Sequence, residues 1–390
     1  MPIKRSPDYT IIIAALALLA IGLVMVYSSS AVLASEKLND PYYFLRKQAL
    51  WSLIGIVLMV IIMKIDYRRF YKFSYPIYFL ILVLLILTLV PGIGRSVNGA
   101  TRWIDLGFIA VQPAEFAKLG LLIFFSALLT KKINENKVTD FQFGLAPVLI
   151  TLAPALVIIQ LQPDMGSVIS IAITTFFLLV ISNARRFHLA TIGIAFLSVA
   201  LLSITRADYR RKRVLSFLDP WQDMHDSGYQ IIQSYVALAR GGLFGQGLGE
   251  SKQKLFYLPE AHTDFIFSIL GEELGFVGAL IVIAIFLVIA WRGFNVGKNA
   301  PDTFGSLLAF GITFAITLQA LVNISVATGI APTKGLPLPF VSLGGSALIM
   351  WMSSLGLLLN ISEHTIRKPI SISISRLIPK VHTLLARGGR

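Results

Sequence analysis

Residues 257–275 read YLPEAHTDFIFSILGEELG. The stretch opens on a polar, proline-containing turn and passes at Asp264 into an apolar run that continues to about residue 291. A run of about 20 apolar residues crosses a bilayer as a helix. Asp264 therefore stands at the mouth of a membrane span, at the end of a long polar loop. Glu272 and Glu273 follow about two helical turns deeper. An ionised group at membrane depth costs at least a few kcal/mol and is kept where it has a partner or a task.

Outward from this stretch, apolar runs recur along all 390 residues. The chain is 56% hydrophobic and 14% charged, whereas soluble domains are about a quarter charged. Ten spans are expected, at about 9–31, 46–63, 74–91, 113–130, 143–161, 165–182, 188–205, 264–291, 304–330 and 345–362. The expected fold class is an all-α polytopic membrane protein of about ten transmembrane helices, with residues 1–390 forming a single transmembrane domain. Lys4, Arg5, Lys64, Arg68, Arg69, Lys72, Lys131, Lys132, Lys137, Arg185, Arg186, Arg292, Lys298 and the basic tail 364–390 fall on one set of connections. The short loops of the other set hold only Lys37, Arg46, Lys47, Arg95, Arg102 and Lys334. The positive-inside rule then puts both termini in the cytoplasm. Residues 206–263, between spans 7 and 8, become one large extracytoplasmic loop, too long for a turn, and Trp221, Phe244, Phe256 and Tyr257 imply partial order in it. The first span is longer than a signal-peptide core and reads as an uncleaved anchor. The net charge of +14 sits mainly in the short loops, which excludes nucleic-acid binding as its meaning. The absence of cysteine excludes disulfides, thiol catalysis and cysteine metal sites.

Several charged residues could carry chemistry, each with a plainer alternative. Asp264 could cap the helix that follows, its side chain accepting from free N–H groups, or act as a general base facing a polar cavity. The two roles are compatible. Glu115 and Lys118 are i,i+3 neighbours on one helix face and read either as a structural ion pair or as a pair lining a substrate cavity. Asp164, in the turn Gln162-Pro163-Asp164-Met165-Gly166, caps the next helix or faces the same cavity. Lys334 is the sole charge in the last outer loop, PTKGLPLPF (332–340). Such non-helical backbone is tolerated at depth only beside protein or a wet cavity, so Lys334 meets an anionic ligand or snorkels to the surface. The run Arg210, Arg211, Lys212, Arg213 binds anionic headgroups or the phosphates of a lipid-linked substrate. His262 is a candidate substrate contact beside Asp264, and His225 and His262 form no zinc motif. The run Gly245-Gln246-Gly247-Leu248-Gly249 lacks the spacing of a phosphate-binding loop and reads as a flexible loop, so no nucleotide site is expected. Ten spans with charges at depth also suit a flippase for a lipid-linked precursor, and a non-catalytic scaffold is a third reading.

Together the segments QPAEFAK (112–118), QPDMG (162–166), YLPEAHTDFIFSILGEELG (257–275) and KGLPLPFVSLGGSAL (334–348) resemble the SEDS family (shape, elongation, division and sporulation) over about residues 8–363. SPDYTIIIAALALLAIGLVMVYSSS (6–30) and VNGATRWIDLG (97–107) are most similar to its FtsW/SpoVE branch. The segment SLGGSA (342–347) departs from the family's frequent SYGGSS, so the Tyr and Ser hydroxyls of that pattern, and any hydrogen bonds they make, are missing at Leu343 and Ala347. The resemblance implies a peptidoglycan glycosyltransferase. Its substrate would be lipid II, the undecaprenyl-pyrophosphate-linked disaccharide-pentapeptide, polymerised at the outer face of the bacterial cytoplasmic membrane for division or sporulation. It further implies a class B penicillin-binding protein as partner and Asp264 as the catalytic carboxylate. Mg2+ or Mn2+ would bridge the substrate pyrophosphate, and no nucleotide is needed. For that reaction Lys334, Glu115, Lys118, Asp164, Arg210, Arg213 and His262 are the expected substrate-binding residues, with no metal site built by the protein alone.

Overall fold

The computed structural model describes residues 6–97, 99–105, 107, 110–205, 208–224, 228–333 and 335–365. Lys4, Arg5, His225, Lys334 and nearly all of the basic tail lie outside the described residues. In chain order the helices are α1 (Tyr9–Leu38), α2 (Tyr43–Lys64), the short α3 (Arg68–Lys72), α4 (Ser74–Leu87), α5 (Pro113–Asn134), α6 (Ala146–Leu161), α7 (Met165–Ile181), α8 (Arg186–Thr205), α9 (Asp208–Leu218), α10 (Tyr229–Gly241), α11 (Ile266–Asn299), α12 (Thr303–Ala327) and α13 (Gly345–Glu363). Seven helices, α1, α2, α5, α11, α12, α13 and α6 taken together with the π-helical turn before it (Phe141–Leu161), are long and apolar enough to cross a membrane. Shorter apolar helices, α4, α7 and the first part of α8, lie where the other three spans were expected. This is a multi-pass membrane protein. α5 and α13 are almost wholly buried along their length. A helix that is apolar all round and buried is enclosed by other helices, so these two form the centre. α2 packs along α13, α12 along α5, α7 and α11, and α1 along α11.

Polar contacts sort the connections to two ends. At one end Arg292 pairs with Asp8 at 2.6 Å, the Asp8 N–H donates to Ser362 Oγ, and the Tyr67 hydroxyl donates to Asp302. At the other end Arg102 reaches the 162–163 turn, Arg213 reaches Thr333, and the Gln112 N–H donates to Ser346 Oγ. The segment 206–263 belongs to this second end and carries α9, a 3-10 turn at Pro220–Asp223, and α10, which lies on α11.

Two features depart from an all-helical reading. The connection between α4 and α5 folds as a three-stranded antiparallel sheet, β1 (Gly94–Val97), β2 (Ala100–Asp105) and β3 (Ala110–Val111), with Arg95 opposite Trp103 and Ile104 opposite Val111. The sequence Asn98-Gly99 is a strong hairpin signal, and Gly99 takes φ 75°, the left-handed region that glycine enters freely.

The second departure is a break in α11 at Gly275, where φ is 70° and ψ −170°. The loop after α10 supplies the missing bonds. Gln246 and Gly247 N–H donate to the carbonyls of Glu272 and Glu273, and Phe276 and Val277 N–H donate to those of Gly242 and Leu243. The approach is too close for a side chain, since a Cβ on Gly245 would sit 2.1 Å from the Glu273 carbonyl oxygen. The glycine-rich run expected to be a flexible loop is thus a fixed cap on a broken helix. The carboxylates of Glu272 and Glu273 secure it further. Glu272 accepts from Ser251 Oγ at 2.5 Å and from the Lys252 and Gln253 N–H groups, and Glu273 accepts from Lys254 Nζ at 2.9 Å and Ser28 Oγ. These are the partners that charges at membrane depth require.

Candidate active site

Asp264 lies in the turn that leads into α11. The helix N-cap is Phe265, with no side-chain cap bond, so Asp264 does not take the capping role. Its backbone is pinned instead. Asn323 of α12 donates through Nδ2 to the carbonyls of Asp264 and Leu336, both at 2.9 Å. Ser342 Oγ donates to the Thr263 carbonyl at 2.6 Å, and the Leu343 N–H to the His262 carbonyl at 3.0 Å. The segment 335–343 therefore runs beside 262–264, and a Cβ on Gly335 would lie 3.4 Å from Asp264 Oδ2.

Asp264 is half-buried, and its carboxyl accepts no hydrogen bond from the described residues. The surrounding protein desolvates it and holds its pKa up at about 7. Glu260 and Asp164 push in the same direction, while Arg213 and Arg102 oppose it. Desolvation and like charge both disfavour the ionised carboxyl.

Three other parts of the chain, and Glu260 of the same turn, bring these groups together. Asp164 is buried and caps α7, accepting from the Ser167 N–H at 3.2 Å and Ser167 Oγ at 2.7 Å, and Gln112 Nε2 approaches it at 3.4 Å. Arg102, on β2, donates to the Gln162 carbonyl at 3.1 Å and to the Pro163 carbonyl. Arg213, on α9, donates to the Thr333 carbonyl at 3.2 Å. Glu260 is exposed and accepts from Thr263 Oγ1 at 2.8 Å.

Glu115 and Lys118 form a buried pair at 2.7 Å, Lys118 also donates to Gln319 Oε1 at 2.9 Å, and Gln319 Nε2 donates to the Pro337 carbonyl. The pair thus braces the 336–338 segment from below. Beside Lys118, Ser170, Thr174 and Thr175 line a cavity of about 10 Å3, room for about one water. The His262 ring packs on Phe44 at 5.1 Å, and burial lowers its pKa. Arg210 falls within α9. Leu343 and Ala347, which stand in place of hydroxyl-bearing residues of the family pattern, pack against and within the apolar core. Among the described residues no three His, Asp or Glu side chains come together as a metal-ligand group, so the donor set does not by itself fit a divalent ion.

Of the expected residues, the structure gathers Asp264, Asp164 and Arg213. It adds Arg102, Glu260, Gln112 and Asn323, which had no assigned role. Gln112, Glu260 and Arg102 lie inside the segments already quoted, Arg102 in VNGATRWIDLG, where it was read only as a loop charge.

The family model for FtsW, RodA and SpoVE, described as cell cycle proteins, matches residues 9–367. This chain belongs to that family. A probable peptidoglycan glycosyltransferase FtsW of Geobacter sulfurreducens is 43% identical over 355 residues, covering 91% of this chain and 95% of its own. The stage V sporulation protein E of Bacillus subtilis is 42% identical over 362 residues, covering 93% and 98%. Among solved structures, a peptidoglycan synthase complex described as coordinating polymerization and crosslinking superposes with a TM-score of 0.73 at 29% identity, covering 91% of this chain and 97% of the matched one. The rod shape determining protein RodA of Thermus thermophilus superposes at 0.69 with 27% identity, covering 93% and 98%. The match to FtsW and SpoVE relatives over nearly the whole chain agrees with the branch that the N-terminal segment resembles.

Proposed function

We propose that this chain is a peptidoglycan glycosyltransferase that polymerises lipid II into glycan strands at the outer membrane face, for septal wall synthesis in division or sporulation. The observation that carries the reading is Asp264. It is a carboxylate at the mouth of a span, backbone-pinned, accepting no hydrogen bond from the described residues and titrating near neutrality. A structural carboxylate is normally satisfied, as Glu272 and Glu273 are, whereas a general base needs an open lone pair and a pKa near the working pH.

In the proposed reaction the acceptor's sugar 4-hydroxyl attacks the anomeric carbon of the donor. Asp264 takes the hydroxyl proton as the new C–O bond forms. The bond to pyrophosphate breaks, undecaprenyl pyrophosphate leaves with the electron pair, and the configuration inverts. Such a base is worth about 10²–10⁴-fold in rate. Arg213, Arg102 and Lys334 are the cations proposed to face the substrate's phosphates. Asp164 keeps the neighbouring turn in place. Glu115 and Lys118 act from beneath by holding the 336–338 segment, Arg210 and His262 are further proposed substrate contacts, and Mg2+ or Mn2+ would be held chiefly by the pyrophosphate oxygens. A class B penicillin-binding protein as partner is supported by the likeness to a synthase complex that couples polymerization to crosslinking.

The test is incubation of purified protein with lipid II and a divalent cation in detergent, alone and with a class B penicillin-binding protein. Glycan is expected. Detergent has no two sides, so a flippase would give none, and transport in sealed vesicles without glycan would overturn the proposal.

A further inference from the structure

The glycine-rich segment after α10 is tied to α11 at a definite depth. The carbonyls of Gly242 and Leu243 accept from the N–H groups of Phe276 and Val277 at 2.9 and 3.1 Å, so residues 242–244 lie at the level of the first turn below the break. From there the outward face of α11 is apolar and exposed through Phe276, Leu280, Ile281 and Leu287 to Trp291, next to the Arg292–Asp8 pair at the end of the span. Above the break, Ile266 to Leu270 are buried. Phe276 to Trp291 covers roughly 22 Å at a helical rise of about 1.5 Å per residue, and the hydrocarbon core is about 30 Å thick. With Trp291 at one boundary, Phe276 lies several ångströms inside the other. At that level Leu243 and Phe244 stand 64% and 79% exposed.

We propose that Leu243 and Phe244 are a wedge inserted among the acyl chains of the outer leaflet, anchoring the extracytoplasmic segment to the bilayer. The surface continues the lipid-facing stripe of α11, and that continuity identifies hydrocarbon as the occupant. The anchor is joined through the break to the helical turns 266–274, at whose head Asp264 sits, and it fixes that part of the chain relative to the membrane surface. The inference does not depend on the proposed reaction.

The chain has no cysteine, so single spin labels can be placed without further changes. Phe244→Cys and, separately, Leu243→Cys are labelled in protein reconstituted into phosphatidylglycerol–phosphatidylethanolamine liposomes, with Leu287→Cys as the lipid-facing reference and Glu250→Cys as the aqueous one. The expected result is that oxygen relaxes the labels at 243 and 244 more than a water-soluble nickel chelate does, as at 287 and opposite to 250. Preferential access by nickel would overturn the proposal, and so would shielding from both reagents, which would mean that protein covers the patch.

Discussion

Asp264 must be ionised to accept a proton, and a folded pKa of about 7 places that ionisation in the neutral range. Polymerisation is therefore expected to rise as pH passes upward through about 7, measured as initial rate with lipid II over a pH series. Glu260 raises this pKa and Arg102 lowers it. Glu260→Gln should move the rise to lower pH and Arg102→Gln to higher pH, and midpoints that stay fixed in both variants would remove Asp264 from the titration. Asp264 stands out in the sequence as a carboxylate at the start of an apolar run, which reads as a helix cap or a general base, and the resemblance singles out the second role. Its surroundings were not legible. Arg102 arrives on a hairpin more than 150 residues earlier in the chain, and no local pattern says which long-range neighbour such a loop charge will meet.

At the scale of elements, the expected spans coincide with helices because apolar runs of the right length leave the backbone no other way to satisfy itself in lipid. The sheet at 94–111 and the break at Gly275 were missed. The strands are only two to six residues long, and the break falls inside a long apolar run whose glycines at 271, 275 and 278 and carboxylates at 272 and 273 do not by themselves say where the helix is interrupted. Gly275→Ala should destabilise the protein by about 1–3 kcal/mol from backbone strain alone, with the added clash of a Cβ 2.3 Å from the Gly245 nitrogen, read as a lower melting temperature in detergent. The α5–α12 brace gives a second prediction. Lys118→Met leaves Glu115 buried and unpaired and should cost about 3–5 kcal/mol. The double variant Lys118→Met with Glu115→Gln should recover much of that loss, and a single variant as stable as wild type would show that the pair braces nothing.

For the whole molecule, the spans form a bundle whose buried centre is α5 and α13, with the candidate site at one end, where the sheet, the 162–164 turn, α9, the 260–264 turn and the 335–343 segment meet. There Asp264 feels two further carboxylates, Glu260 of its own turn and Asp164, and two guanidinium groups, Arg213 and Arg102, brought from other connections, which suits chemistry at a membrane surface on a substrate that is half lipid. Charge counts alone left flippase and polymerase open, because both need polar groups inside a bundle. A charged cluster gathered at one end of the bundle favours chemistry there. The direct measurement is the glycan product formed from lipid II by purified wild type and by Asp264→Asn, each with a class B penicillin-binding protein and matched for melting temperature. The account predicts long strands from the wild type and none from the variant. Strands of equal length and yield from both would contradict it.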